Sequence, residues 1–359
     1  MKSGAFRPWM EGERRLRSLR GVGLAISALA LVVVLASMDM GEAVRLIGQA
    51  KVSVLALGLG PLLVQLVIRA TRWQILLPRR ADGRPVHLSV AGPALLVGYL
   101  GNAMLPLRLG EPIRAAIVAR KERLDFLECF GATLTERVVD TATLAVGAFV
   151  AAVSLGTTIS ILAVTGTAAA AGLVILGLLV TVGLSRTTLA ITRRLRDWVG
   201  SLRVDPIADR AVAFAQGVDR GRSPRRLLAV AALSCLCWGL DALVFWLVAQ
   251  AIDVPLSVPA AVLVAGMTVL VTAIPAAPGY VGTYELAATS TAAALGVPGA
   301  EALAVAVLAH ILTTVPLALG GVVALGISGA RWPRRAGGPR WPDVTTAMSS
   351  TQMDTAGPR

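Results

Sequence analysis

The chain has 359 residues, of which 55% are hydrophobic and 15% are charged, and its formal net charge is +13. This composition argues against an ordinary soluble domain and predicts an all-α polytopic membrane protein. The basic residues lie in short loops between apolar stretches, which indicates membrane topology rather than nucleic-acid binding. The three cysteines lie within apolar stretches and the two histidines are not clustered, so no disulfide framework, metal or cofactor is expected.

Six apolar stretches are near or above the ~20 residues that a helix needs to cross a bilayer. They cover residues 21–38, 52–77, 126–153, 159–184, 227–252 and 301–328. Two further stretches, residues 88–122 and 259–297, each contain an apolar limb, a break rich in proline and glycine, and a second limb. We therefore predict about six full spans and two re-entrant helical hairpins.

Basic residues in short loops favour the cytoplasmic side of a membrane. Most of them belong to five segments, residues 1–20, 69–84, 120–123, 185–226 and 329–359. These segments share one side only if residues 88–122 enter and leave the membrane from the cytoplasm. We therefore predict a plasma-membrane protein with cytoplasmic N and C termini. The second half then repeats the order of the first half with opposite orientation, which predicts an inverted repeat.

The same topology divides the chain into three parts. Residues 1–20 are predicted to form a basic cytoplasmic tail, and residues 21–328 a transmembrane domain. Residues 329–359 are rich in Pro, Gly, Ser and Thr and are predicted to be a disordered cytoplasmic tail. The cytoplasmic loop 185–226 lies within the transmembrane domain, and its arginines are expected to contact anionic lipids. Association into homo-oligomers is left open.

The first break, residues 98–114, places charged side chains among residues typical of a membrane interior. A charge at the bilayer centre costs roughly 2.5–3.5 kcal/mol on insertion scales, so such residues usually face a cavity, a partner or a substrate. Pro106 and Gly110 are expected to interrupt the helix at this point. The candidate substrate-binding residues of this break are Asn102, Arg108, Glu111 and Arg114.

The predicted span 126–153 adds three charged candidates, Glu136, Arg137 and Asp140. At 1.5 Å per residue, Glu136 lies ~15 Å from the start of this span, which is near the midplane of a bilayer. We expect these residues to form one buried network with the charges of the first break. Two interpretations stay open: structural ion pairs that join helices, or a polar cavity for a charged substrate.

The second break, residues 275–285, contains residues that are expected to end one helix and begin another, namely Pro275, Pro278, Gly279 and Gly282. Thr283 is expected to cap the new helix and to leave backbone N–H groups free to face an anion. His310 is alone on an apolar face and is interpreted as structural. The second break also adds three candidate substrate-binding residues, Tyr280, Tyr284 and Glu285.

The charges inside the membrane predict an imbalance. Three arginines, Arg108, Arg114 and Arg137, face five acids, Glu111, Glu136, Asp140, Asp241 and Glu285. The surplus of negative charge would require protonated carboxyl groups or a cation such as the amine of a lipid head group. The first candidate is Glu285, because no arginine lies near it in sequence.

Three motifs in this order resemble the flippase-like membrane domain of the lysylphosphatidylglycerol synthase/flippase family. They are Asn and Pro before R-x-G-E-x-x-R, then E-R-x-x-D, then P-x-x-P-G-x-x-G-x-x-E, at residues 102–114, 136–140 and 275–285. The resemblance implies that the chain moves a lipid or lipid-linked head group between leaflets. Family members with two parts carry a soluble synthase domain after the membrane part. The last predicted span ends close to the C terminus, so aminoacyl transfer is not expected, and the chain is interpreted as a transporter rather than an enzyme.

The leading hypothesis is therefore a flippase-like transporter whose substrate is a phospholipid or a polyprenyl-linked lipid. Arg108, Arg114 and Arg137 would hold the phosphate, because a planar guanidinium can donate two hydrogen bonds to phosphate oxygens. One alternative is an intramembrane lipid-modifying transferase with Glu136 or Asp140 as its base. Another is a non-catalytic membrane scaffold or regulator.

Overall fold

The computed structural model describes residues 7–105, 108–182, 190–191, 205–219, 223–272 and 276–328, without the side chains of residues 7–20, 177–182 and 205–209. Every regular element in these ranges is a helix. The first seven helices are α1 Arg7–Ser37, α2 Met40–Gly48, α3 Val52–Leu57, α4 Leu59–Leu76, α5 Leu88–Met104, α6 Gly110–Glu122 and α7 Phe126–Ser154. The next six are α8 Ile159–Val182, α9 Asp205–Asp219, α10 Pro224–Ala251, α11 Val258–Val271, α12 Thr283–Ala294 and α13 Gly299–Ser328.

Five segments in the described ranges are long and apolar enough to cross a membrane. They are Val52–Leu76, Phe126–Ser154, Ile159–Leu176, Pro224–Ala251 and Gly299–Ile327. A sixth span results if α1 from Gly21 onward and α2, which are bent by 89° relative to each other, cross as one unit. The predicted all-α polytopic class is thus confirmed. The predicted number of about six spans agrees with the five or six found among the described residues.

The two predicted hairpins correspond to paired short helices. Helix α5 packs against α6 across the first break, and α11 packs against α12 across the second break. Both α5 and α11 are apolar but shorter than the spanning helices. Their re-entry into the membrane from one side, and the inverted repeat built on it, remain predictions.

Short polar residues set where several helices begin. The side chain of Asp125 accepts the Glu128 N–H at 2.9 Å at the start of α7, and Ser257 accepts the Ala260 N–H at 3.3 Å at the start of α11. Each side chain satisfies a backbone donor that has no partner within the helix. These caps place the helix starts close to the predicted ones.

A glycine contact brings the two helices of the first hairpin together. A Cβ atom on Gly110 would lie 1.9 Å from the Gly98 carbonyl oxygen, so no other residue fits there without backbone movement. The Gly110 N–H donates to Asn102 Oδ1 at 2.9 Å. The start of α6 is therefore fixed against α5, which positions the charged residues that follow.

Helix α1 packs against the second break. The Ala277 N–H donates to Ser27 Oγ at 2.8 Å. A Cβ atom on Gly282, whose φ is +88°, would lie 2.5 Å from the Ser27 carbonyl oxygen. The second break is thus closed on one side by a helix from the beginning of the chain.

Two apolar cores surround the charged helix faces. One core lies among α10 to α13 and contains Phe245 and Tyr284. The other lies among α4 to α7 and contains Trp73 and Val139. Helix α10 contributes to both cores, and Asp241 lies on it next to the first of them.

Candidate functional site

Arg72 forms a buried ion-pair network between α4 and α7. Its Nε and Nη2 donate to Glu136 Oε1 at 3.1 and 2.8 Å. Its Nη1 donates to Asp140 and, at 2.9 Å, to Ser234 Oγ. The three charged side chains are at most 2% exposed. We counted Arg72 with the basic cytoplasmic segment 69–84, but it lies within the predicted span 52–77, since α4 continues past it to Leu76.

Arg114 and Arg137 extend this network to α6, in the way that the sequence led us to expect. Arg114 donates through Nε to Glu111 at 2.8 Å and through Nη2 to Glu136 at 2.8 Å. Arg137 Nη2 lies 2.8 Å from the other Glu111 oxygen. The Arg114 guanidinium also lies 4.6 Å from the centre of the Trp73 ring. The network therefore ties α4, α6 and α7 together.

Arg69 forms a second ion pair, which connects α4 to α10. Its Nη2 donates to Asp241 Oδ2 at 2.9 Å, and its Nη1 donates to the Tyr99 hydroxyl at 3.0 Å. Its guanidinium lies 5.4 Å from the Trp238 ring centre. Neither Arg69 nor Arg72 was among the predicted site residues. The available signal was an arginine pair inside an apolar stretch long enough to span.

The two extra arginines change the charge balance. Five arginines instead of three now face the five acids, so the predicted surplus of negative charge is wrong. Four of the arginines, Arg69, Arg72, Arg114 and Arg137, bond to four of the acids, Glu111, Glu136, Asp140 and Asp241. This group of eight side chains has no net charge when all are ionised.

Arg108 stands apart from these ion pairs, although we expected it to join them. Its Nε donates to the Thr272 carbonyl oxygen at 3.1 Å, and its Nη2 donates to Thr272 Oγ1 at 2.8 Å. No carboxylate of the described residues pairs with it. A guanidinium has five N–H groups, and two of them are used here. No described residue accepts a hydrogen bond from the other three N–H groups, which are therefore available to an anion.

Glu285 pairs with a histidine instead of an arginine. Its Oε1 lies 2.5 Å from His310 Nδ1, and its Oε2 accepts the Gly282 N–H at 2.7 Å. The His310 ring stacks on Tyr284 with 4.1 Å between the ring centres. The interpretation of His310 as an isolated residue on an apolar face is therefore wrong. Local sequence gave no signal for this pair, because the two residues lie on different helices.

The predicted cap of α12 is also different. Thr283 does not cap the helix, since its hydroxyl donates to the Tyr280 carbonyl oxygen at 3.0 Å. Gly282 takes the cap position, and its N–H is bonded to Glu285. This backbone donor is consequently not free to face an anion.

One cavity of about 200 Å³ joins the two breaks and the ion pairs. Its lining includes seven of the predicted candidates: Asn102, Arg108, Glu111, Arg137, Asp140, Tyr280 and Tyr284. It also includes residues that were not proposed for the site, among them Arg69, Tyr99, Trp238, Asp241 and His310. Its size suits part of a head group rather than a whole lipid.

Three predicted candidates lie behind this lining. Arg114, Glu136 and Glu285 bond to lining residues or to their partners but do not line the cavity themselves. Gly279 lines the cavity, whereas Pro106 and Pro275 lie outside the described residues. The described part of the chain contains no group of three or more His, Cys, Asp or Glu residues that could hold a metal ion.

Comparison with known proteins identifies the family of this chain. Residues 21–321 match the family model described as the lysylphosphatidylglycerol synthase TM region. The chain belongs to this family. A lysylphosphatidylglycerol synthase transmembrane region thus covers both breaks and the cavity, and it supports a function that involves membrane lipid. No solved structure matches the chain.

One named relative is the glycosyltransferase AglD of Haloferax volcanii. It is 28% identical over 90% of this chain. The chain spans 57% of the length of this relative. The expectation that the chain is not an enzyme is contradicted by this match, because the relative is named as one.

Proposed function

We propose that this chain is a lipid transporter that binds the phosphate of a membrane lipid in the cavity and moves its head group between leaflets. The substrate would be a phospholipid or a polyprenyl-linked lipid. The family supports a lipid-related function, and the direct support for phosphate comes from Arg108.

Arg108 is the observation that carries this proposal. Its guanidinium is oriented by Thr272 and by the Tyr280 ring, whose centre lies 5.6 Å away. The other cavity arginines, Arg69 and Arg137, are occupied by carboxylates. A fixed guanidinium with free N–H groups binds phosphate oxygens well, especially where water is largely excluded. Arg108 is accordingly the primary phosphate ligand in this proposal.

The remaining candidates receive supporting roles. Glu111 and Asp140 hold Arg137 in the wall of the cavity. Glu136 and Arg114 hold the hairpin against α7 from behind. Asn102 fixes the start of α6, and so the backbone near Arg108. Movement of a head group would use the two breaks, where backbone that is not helical can line a polar path.

Reconstitution in liposomes tests the proposal. Purified protein would be inserted with fluorescent phospholipids or polyprenyl-phosphate lipids, and transfer between leaflets would be followed by chemical quenching of the outer leaflet. We expect transfer above protein-free liposomes for at least one phosphate lipid. Arg108→Gln should slow it about tenfold or more, because charge-assisted hydrogen bonds contribute about 1.5–3 kcal/mol.

Arg120→Gln is the matched control, since Arg120 is exposed on α6 and does not line the cavity. It should transfer lipid at the parent rate. Equal rates for the parent and protein-free liposomes with every phosphate lipid would overturn the proposal, as would equal rates for the parent and Arg108→Gln.

A second candidate function is favoured by the name of the relative. We propose as this alternative that the cavity takes part in transfer of a sugar to or from a lipid phosphate. Mass spectrometry after incubation with a polyprenyl-phosphate sugar and an acceptor tests it. A lipid product changed by the mass of one sugar supports transfer, whereas unchanged lipids that have exchanged leaflets support transport alone.

A further inference from the structure

Helices α4 and α13 line the same cavity but hardly pack against each other. The lining residues of α4 include Gln65, and those of α13 include Thr313. Helix α4 packs against α3, α5, α7 and α10, whereas α13 packs against α2, α5, α10 and α12. We call the gap between residues 62–69 of α4 and residues 312–317 of α13 the seam.

The seam has close contacts at both of its ends. A Cβ atom on Gly58, which directly precedes α4, would lie 2.9 Å from Leu312 Cδ2, so the two helices touch where α4 begins. At the other end, α5 packs against both helices. A Cβ atom on Gly321 would lie 2.6 Å from the Leu96 carbonyl oxygen, so no side chain separates α13 from α5 there. The seam is therefore a window between two fixed ends.

Apolar side chains surround the outer edge of the seam. Leu63 and Val67 of α4 are 67% and 63% exposed, and Ile311 and Val315 of α13 are 52% and 46% exposed. In a membrane, such faces contact the hydrocarbon chains of lipids. Leu66 is half-buried and does not line the cavity. The seam therefore joins a polar cavity to the surrounding hydrocarbon.

Pro316 gives α13 a place to bend beside the seam. Proline has no backbone N–H, so it cannot donate the usual helical hydrogen bond to the Leu312 carbonyl oxygen. The Thr313 hydroxyl donates to the Ala309 carbonyl oxygen at 2.7 Å, and such bonds often bend helices. Pro316 lies between the α4 contact at Leu312 and the α5 contact at Gly321. Bending at this point would change the width of the seam.

We propose that the seam is the binding site for the hydrocarbon chains of the transported lipid, and that it widens when α13 bends at Pro316. The proposal rests on the proposed function, since it places the phosphate in the cavity at Arg108. A cavity of about 200 Å³ is too small for a whole lipid. Moving a chain out of hydrocarbon into water costs about 0.8 kcal/mol for each CH₂ group. The chains therefore stay in the bilayer and reach the head group through the seam.

Photochemical crosslinking tests the seam as a chain-binding site. Benzoylphenylalanine replaces Leu66 at the seam or, as the matched control, the neighbouring exposed Val67. The probes, in dodecyl maltoside micelles, are phosphatidic acid and a diacylglycerol with identical chains, which differ only in the phosphate. At Leu66 we expect about fivefold or more crosslinking of phosphatidic acid over diacylglycerol, because the bound phosphate holds the chains in the seam. At Val67 the two probes should crosslink equally.

Bending of α13 has a separate test. Pro316→Ala restores the missing N–H group and stiffens the helix, so lipid transfer in liposomes should slow several-fold. Pro93→Ala is the matched control, because Pro93 lies inside α5 and lines neither the cavity nor the seam. It should transfer lipid at the parent rate. Unfolding temperatures should not fall in either variant, since alanine favours helix. Transfer by Pro316→Ala at the parent rate would overturn the role of bending.

The seam and the phosphate site fail in different ways. Native mass spectrometry measures binding of phosphatidic acid to the purified full chain. If Arg108→Gln weakens this binding but the Leu66 position crosslinks both probes equally, only the seam is wrong. If Arg108→Gln leaves the binding unchanged, the phosphate site itself is wrong. If both proposals hold, Arg108→Gln also brings the ratio at the Leu66 position close to one.

Discussion

The Arg108 guanidinium lies 5.6 Å from the centre of the Tyr280 ring, and both residues have a left-handed backbone, with φ of 52° and 60°. Such a backbone is uncommon outside glycine and costs about 1–3 kcal/mol where the surrounding structure imposes it. Arg108 belongs to the first break and Tyr280 to the second. The two breaks therefore meet at two strained residues that face one cavity, which is where strain is most often functional.

The ring of Tyr280 is expected to orient Arg108. Tyr280→Leu removes the aromatic face, so lipid transfer in liposomes should fall several-fold, in line with the roughly 0.5–2 kcal/mol of a cation–π contact. Tyr280→Phe keeps the face and should stay close to the parent rate. If both variants lose transfer equally, the hydroxyl rather than the ring is important.

Loss of Arg72 should destabilise the protein. Arg72→Met leaves Glu136 and Asp140 short of one buried cation, and breaking such a pair costs about 3–5 kcal/mol. Thermal unfolding in detergent measures the effect. Arg45→Met is the control, because its ion pair with Glu42 is exposed, and its unfolding temperature should match that of the parent. Similar unfolding temperatures for the two variants would show that the Arg72 network is not important for stability.

Gly110→Ala should disrupt the first hairpin. The new Cβ atom would overlap the Gly98 carbonyl oxygen, and forced overpacking costs about 1–3 kcal/mol or more. Gly92→Ala in the same hairpin is the control, since nothing lies within 4 Å of its Cβ position. It should be neutral or slightly stabilising, because alanine favours helix. Unfolding temperatures compare them, and an unaffected Gly110→Ala would contradict the close contact.

Cysteine labelling tests the proposed topology. In a chain without its three native cysteines, Arg120→Cys and Arg210→Cys should react with an impermeant maleimide only from the cytoplasm, and Thr158→Cys only from outside. All three positions are exposed. External labelling of Arg120→Cys would mean that the first hairpin is a full span, and the inverted repeat would then be excluded.

The helices were largely predictable from sequence because each signal is local. Apolar length predicted the spans, and the breaks placed α5 and α6 within the predicted 88–122 hairpin. Polar candidates such as Arg137 and Asp140 could be found for the same reason, since a charge in an apolar stretch is conspicuous wherever its partner lies.

The partners of these charges were not predictable. Arg69 bonds to Asp241 and His310 to Glu285 across different helices. Their pairing depends on how the helices rotate and pack. Helices that are apolar on all sides give little periodic signal for that rotation. The count of internal charges failed for a different reason, because Arg69 and Arg72 were counted with their basic neighbours in the segment 69–84 and not with the charges inside the membrane.

The hydrogen bond from Ala277 to Ser27 has a consequence for the order in which the protein is made. Helix α1 is synthesised first, and the backbone that it covers follows 250 residues later. Until then, the face of α1 around Ser27 lacks its native partner in the chain. The packing of the first half is therefore still incomplete when its own helices have been inserted. It becomes complete only after the second break has been synthesised.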